Sequence, residues 1–386
     1  MSNLGIPNLS DLLPKNSRTL LSGTGKDFVN RIGVAAIKKV TAEVLCGENL
    51  RDQTEPLTRR RLSQISGALV AMFANGWIRD ENFSSELSKI AASEMAAKRS
   101  AKADAWPARW ALGLTDKLAD NVLRGDAEQL PKYLASFEAA ITDSADRILE
   151  DCGRISMQFA MPGIGKSTKN LNWSDITRLT TAIGCAALTI RGSDKSIYGK
   201  IFERLVLGSV LSILGFDFVK RDDSESKKMV FWLSDSTADR ECDATAIINP
   251  GKIVRFDIGF IGKGNPEITK DKISRFSRAL EMEGRRTSSK SIIIVDRLPK
   301  KGSTEISAAG IGTEIVQMSY KYWPRELAAK LWKWDSKYSH PLLTMKESEM
   351  GGYLTHSIES VNIEDFVGKL NIARPVESEV DVEDLD

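Results

Sequence analysis

Along residues 20–150, apolar positions recur at intervals of three and four. The spacing is clear in DFVNRIGVAAIKKVTAEVL, LSQISGALVAMFANGWI, SELSKIAASEMAAK and WALGLTDKLADNVL, with turn formers in the polar stretches between them. That period puts one apolar stripe on each helix and predicts a helical N-terminal region. From 151 to 195 the pattern is mixed: MPGIGKSTKNLNWS reads as a loop, and TRLTTAIGCAALTI as a helix that stops at a break over Arg191-Gly192-Ser193-Asp194. A helix over 196–214 follows. Short strand-like runs come next, at FDFVKR, MVFWLS, ECDATAII and IVRFDIGFI, then a helix, then SIIIVDRL, EIVQMSY and the helix PRELAAKLWKW. This order predicts an α/β sheet sandwiched by helices. The expected organisation is a mainly helical domain over 1–190, an α/β domain over 191–372 and an acidic, disordered tail over 373–386.

Composition narrows the class of protein. The chain has 386 residues, is 42% hydrophobic and contains no apolar run near the length of a membrane span. Its N-terminus lacks the charged-then-apolar layout of a secretory signal, and its four cysteines have no C-x-x-C spacing, so an intracellular, cytoplasmic and reduced protein is expected. The net charge of +2 hides an acidic end: Glu377, Glu379, Asp381, Glu383, Asp384 and Asp386 leave a modest positive excess on the rest of the chain. Such an excess permits nucleic-acid binding without demanding it.

Three acids are embedded in otherwise apolar elements: Glu203 in the helix SIYGKIFERLVLGSVLSILGF, Asp243 in RECDATAII and Asp257 in KIVRFDIGFIG. A carboxylate is costly to bury unless it is paired or holds a metal, and oxygen ligands converging on one sheet suit a hard divalent cation. Asn249-Pro250-Gly251 joins the two aspartate strands as a hairpin. A three-residue loop sets Asp243 opposite Asp257. A two-residue loop pairs Asp243 with Ile258 and puts the acids on opposite faces, unless a bulge intervenes.

A helix with an acid (YGKIFERL), a strand with an aspartate (RECDATA), a second acid-bearing strand (VRFDIGF), then a helix and a parallel strand: this order resembles the PD-(D/E)XK nucleases, and among them the type II restriction endonucleases. The segment DIGFIGKGNPEITKDKISRF is similar to restriction enzymes of the CfrBI type. The resemblance implies a restriction-endonuclease-like mixed β-sheet flanked by helices beside an N-terminal all-helical domain. It also implies Mg²⁺-dependent hydrolysis of double-stranded DNA at a specific sequence, a homodimer, and a cognate DNA methyltransferase in the same system. Asp243 and Asp257 take the metal-binding places and Glu203 that of a direct or water-mediated ligand. Glu241, two residues before Asp243, shares its strand face and reads as an auxiliary ligand or as a partner for Arg240. The sequence departs from the family pattern where a lysine is expected two residues after the second acid, since Gly259 stands there. A helix starting at Asn265-Pro266-Glu267 and running back across the sheet brings Lys272 to the vacated place, with Arg275 in reserve.

Other features carry competing readings. Arg59-Arg60-Arg61 ahead of LSQISGALVAMFANGWI suggests the entry of a DNA-contacting helix, with Gln64 or Asn75 reading base edges, or else a solvated helix start. Trp323, Trp332 and Trp334 read as core or interface residues, and Asp296 as the cap of its strand. Two further classes remain open: a non-catalytic DNA-binding protein on a degenerate nuclease sheet, and a P-loop NTPase, because AMPGIGKST (160–168) approaches a phosphate-binding loop. Ala160 replaces its first glycine. The two histidines, His340 and His356, lie in no metal-ligand cluster, which excludes an HNH-type nuclease.

Overall fold

The computed structural model describes residues 8–96, 105–124, 129–155, 157–159, 168–224, 227–234, 242–260, 288–297 and 313–372. The described helices are α1 (Leu9–Leu12), α2 (Lys15–Arg18), α3 (Gly25–Ile32), α4 (Val34–Leu45), α5 (Leu50–Arg79), α6 (Phe83–Ala96), α7 (Trp106–Ala111), α8 (Asp116–Arg124), α9 (Gln129–Cys152), α10 (Trp173–Ile213), α11 (Pro324–Trp334), α12 (Glu347–Ser360) and α13 (Glu364–Val367). The chain divides into two compact units. One comprises 1–31, 58–195 and 371–386, and the other 32–57 and 196–370.

Among its described residues the first unit is built of helices and a two-stranded antiparallel ladder, β1 (Met157–Phe159) with β2 (Lys169–Leu171). Its helices start on local hydrogen bonds that the sequence encodes. Asn172 and Asp175 exchange backbone N–H to side-chain bonds of 3.1 and 2.9 Å at the start of α10. Thr24 and Asp27 do the same at the start of α3, at 3.1 Å each. Such reciprocal pairs satisfy N–H groups that a helix start leaves orphaned. Helix α10 runs unbroken through Arg191-Gly192-Ser193-Asp194, so the expected break does not occur there. Its reason lies far away in sequence. Asp194, 4% exposed, is ion-paired at 2.5 Å with Arg61 of α5, which is 0% exposed and also donates through Nε and Nη2 to the Leu20 carbonyl at 3.3 and 2.8 Å. The Arg61 guanidinium lies 5.4 Å from the Phe28 ring centroid.

The second unit is built on a six-stranded mixed sheet in sequence order: β3 (Asp217–Phe218), β4 (Val230–Leu233), β5 (Ala244–Asn249), β6 (Lys252–Gly259), β7 (Ser288–Val295) and β8 (Thr313–Gln317). The β4–β5–β6 pairings are antiparallel and β6–β7–β8 are parallel. All six strands fall on the runs that the sequence marks, whereas the helix expected to start at Asn265-Pro266-Glu267 lies outside the described residues. Alternation sends successive side chains to opposite faces. Phe231, Ala246, Val254, Phe256 and Ile292 occupy one face, none of them more than 3% exposed. The ladder Trp232–Thr245–Arg255–Ser291–Thr313 crosses five strands on the other, and Asp257, two residues beyond Arg255, shares that polar face.

Residues 32–57, which the sequence pattern groups with the helical region, belong to this sheet unit. Trp323 Nε1 donates to the Val44 carbonyl at 2.9 Å and Lys38 Nζ to that of Glu359 at 2.6 Å. Trp323 is core at 1% exposure, while Trp332 is 51% exposed. His340 is also buried: its Nε2 meets the Ile213 carbonyl at 2.8 Å and its Nδ1 accepts from the Leu342 N–H at 3.3 Å, which assigns the neutral Nε2–H tautomer.

Burial pushes the His340 pKa below the ordinary 6.5, with the Ile213 hydrogen bond opposing. A depressed folded-state pKa means that the unfolded chain binds the proton first on acidification. The contribution of His340 to stability is therefore present above about pH 6.5 and lost as pH falls through the folded value. Thermal melts between pH 7.5 and 5 are expected to show a steeper loss of Tm for the wild type than for His340→Gln.

Candidate active site

The geometry around Asp243 and Asp257 follows from one irregularity. Asn249 pairs with Lys252, so the hairpin turn is the two-residue Pro250-Gly251, with Gly251 at φ 83°, a conformation that favours glycine. Between Ile247 and Asn249 the register shifts, and from Ile247↔Ile253 to Ala244↔Phe256 the ladder runs one residue out of step with the turn. This bulge cancels the offset of the short loop. The Asp243 N–H donates to the Phe256 carbonyl at 2.8 Å, and the Asp243 carboxylate accepts the Ile258 N–H at 2.8 Å. The Asp243 carboxylate thus lies against the peptide that leaves Asp257. Asp257 itself is 6% exposed. Of the two turns that the sequence allows, the structure adopts the shorter with the bulge.

Around this pair the site is polar and partly buried. Cys242, 8% exposed, places its Sγ 3.3 Å from Thr245 Oγ1. Burial raises its thiol pKa; the Thr245 hydrogen bond and Arg255 oppose that rise, and Asp243 and Asp257 add to it. Arg255 and both acids therefore act on the same buried thiol. The V-R-F-D alternation marks Arg255 as sharing the Asp257 face, a signal the sequence reading left unused.

Glu203 sits on α10 at intermediate burial. Its neighbour Arg204 does not simply offset it at the surface: Nε donates to the Phe366 carbonyl and Nη1 to that of Ser234, both at 2.6 Å. Ser234 in turn donates its N–H to the Asp243 carbonyl at 3.0 Å and its hydroxyl to the Cys242 carbonyl at 2.6 Å. A continuous run of hydrogen bonds therefore ties α10, beside Glu203, to the backbone of Asp243. Gly259 ends β6, and its carbonyl accepts the Asp296 N–H at 3.3 Å. Asp296 joins the strand ends through its backbone, since its carbonyl also accepts the Ser319 N–H at 3.0 Å. Burial raises its carboxyl pKa; Arg297 opposes and Asp52 reinforces that rise.

Among the described residues, no group of three or more His, Cys, Asp or Glu side chains is arranged to hold a metal ion. Two carboxylates with hard oxygen donors nevertheless match the usual Mg²⁺ site, which keeps waters and takes phosphate oxygens for the remaining positions. Lys272, Arg275 and Glu241 lie outside the described residues, as do residues 160–167 of the phosphate-loop-like segment.

The basic triplet does not open a helix. It lies in the interior of α5, where Arg59 and Arg60 are exposed. Arg61 is corrected from a DNA contact to a core residue, because its guanidinium is consumed by Asp194 and the Leu20 carbonyl. Both amides bond to main-chain carbonyls: Gln64 Nε2 donates to that of Arg31 at 3.2 Å, and Asn75 Nδ2 to that of Leu12 at 2.8 Å. Among the described residues, no helix is long and apolar enough to cross a membrane.

Comparison with known proteins assigns the chain that carries this mixed sheet to a family. The family model described as CfrBI restriction endonuclease matches residues 34–303. The chain is 30% identical over 344 residues to the type II restriction enzyme CfrBI of Citrobacter freundii, covering 88% of this chain and 93% of that protein. This chain belongs to the CfrBI restriction endonuclease family. No solved structure matches it.

Proposed function

We propose that this protein is a Mg²⁺-dependent type II restriction endonuclease that hydrolyses both strands of double-stranded DNA at a specific sequence, working as a homodimer beside a cognate DNA methyltransferase. The observation that carries the reading is the buried Asp257 with the Asp243 carboxylate on its neighbouring peptide, in a chain of this family. Asp243 and Asp257 hold the ion, with Glu203 as a direct or water-mediated third ligand. When bound, Mg²⁺ polarises the phosphate, lowers the pKa of the attacking water and neutralises charge on the leaving oxygen. Lys272 supplies positive charge where the transition state becomes more negative, replacing the lysine absent at Gly259, with Arg275 in reserve. A two-fold dimer matches a palindromic site, because the symmetry of the protein then mirrors that of the DNA.

Digestion of phage DNA tests this. Discrete fragments in Mg²⁺ that disappear with EDTA support it; intact DNA bound in every divalent metal supports the alternative that Gly259 favours, a DNA-binding protein without cleavage. The restriction reading further expects that the host genome resists cutting where the methyltransferase has acted and is cut where it has not.

Arg59 and Arg60 are assigned to DNA phosphates. Each replacement by alanine is expected to weaken binding in Ca²⁺ across all sequences and to reduce the slope of log K against log salt by about 1. Fluorescence anisotropy at several salt concentrations reads this.

A further inference from the structure

The bulge that aligns the two aspartates has an identifiable holder. Asn249 and Lys252 form the pair closing the hairpin, the one pair out of step with the remainder of the β5–β6 ladder. One carboxylate grips both of their side chains. Asn249 Nδ2 donates to Asp335 Oδ2 at 2.5 Å, and Lys252 Nζ lies 3.3 Å from Asp335 Oδ1. Asp335 is 3% exposed and is itself fixed at the C-terminal end of α11. Its N–H donates to the Leu331 carbonyl at 2.9 Å, its Oδ1 accepts the Lys337 N–H at 3.2 Å, and its carbonyl accepts that of Tyr338 at 2.8 Å. Helix α11 is anchored in turn by the buried Leu327, Ala328 and Leu331.

The geometry points to Asp335 as the positioning residue of the active site: by clamping Asn249 and Lys252 it holds the two-residue turn together with its bulge, and so keeps the Asp243 carboxylate on the Ile258 N–H, beside Asp257. This rests on the nuclease reading for its functional consequence, though not for its structural one. The lever is long. Asp243 lies six residues from Asn249, about 20 Å along an extended strand. Register transmits the effect over that distance, because an antiparallel pair cannot slip at one end without slipping along its length or absorbing the extra residue in a bulge. Without the clamp, the two-residue turn closes an unbulged ladder more readily. That ladder pairs Asp243 with Ile258 and sends the two carboxylates to opposite faces. No part of Asp335 touches DNA or metal in this scheme; it acts only through the hairpin.

The test is Asp335→Ala in the full-length protein, with Asp335→Asn as the conservative variant that keeps an acceptor for Asn249 and for the Lys337 N–H. Three readouts are taken: the β5–β6 register from a crystal structure, Mn²⁺ affinity, and the separate kcat and KM for DNA. The expected result for Asp335→Ala is a shifted or mixed register, with Mn²⁺ affinity and kcat each reduced about tenfold or more and KM for DNA little changed. Asp335→Asn is expected to recover most of the loss. A folded Asp335→Ala protein with native register, wild-type Mn²⁺ affinity and wild-type kcat overturns the inference. If Asp335→Ala does not fold, Asn249→Ala and Lys252→Ala decide by the same three readouts, since each removes one arm of the clamp at the partly exposed turn. Should the wild type neither bind Mn²⁺ nor cut DNA, the nuclease reading fails, while the register in the variant crystals still decides whether Asp335 sets it.

Discussion

Replacing Asp257 by asparagine is expected to reduce DNA cleavage by at least about a thousandfold while leaving the protein folded. Asparagine has the same shape, so the packing of β6 persists between β5 and β7. It lacks the negative charge that makes the buried side chain a ligand for a hard cation. Charge is the costly property at this position: at 6% exposure, a carboxylate is kept at the expense of desolvation. Mg²⁺ is expected to raise the melting temperature of the wild type over its value in EDTA and to leave that of Asp257→Asn unchanged, because only the wild type binds the ion. Single-turnover cleavage and thermal melts with and without Mg²⁺ read both effects. A variant that still cuts at the wild-type rate removes Asp257 from the chemistry.

The second large effect concerns stability. Breaking the Arg61–Asp194 pair from either side is expected to cost about 3–5 kcal/mol, because the remaining charge is left inside without its partner. The side chains of Arg61 and Asp194 are 0% and 6% exposed, so water cannot replace the lost contact. Arg61→Ala also strands the Leu20 carbonyl, which loses the N–H donors of the guanidinium. Replacing both residues with apolar side chains of similar volume, Arg61→Met with Asp194→Leu, is expected to cost much less than either single change. Urea unfolding of the four proteins measures the coupling. Near-equal stability of Arg61→Ala and the wild type contradicts the burial of the pair.

That same ion pair marks the limit of what could be read from the sequence. Arg61 stood in a basic triplet and Asp194 in an apparent helix break, and local pattern gave each the meaning it commonly has. The partners are 133 residues apart, a pairing that neither hydrophobic period nor composition encodes. Arg61 is a core residue through this contact, and α10 continues through Asp194. The strands were legible for the opposite reason: alternation, a run of β-branched residues at SIIIV and the turn chemistry of Asn249-Pro250-Gly251 are local signals. Asp243 and Asp257 were legible as acids out of place in strands. Their mutual register was not, because it depends on whether one bulge forms, and the side chain that holds that bulge belongs to Asp335, at the end of a helix. Pattern placed Gly33 and Gly113 within helical stretches; both have positive φ, at 114° and 69°, and separate α3 from α4 and α7 from α8.

The central claim is that Asp243 and Asp257 together hold the divalent cation used for cutting. Titration of the wild type, Asp243→Asn and Asp257→Asn with Mn²⁺, followed by electron paramagnetic resonance in the presence of DNA, tests it most directly. The account expects saturable binding in the wild type and its loss in each variant; unchanged Mn²⁺ binding in both variants would contradict it.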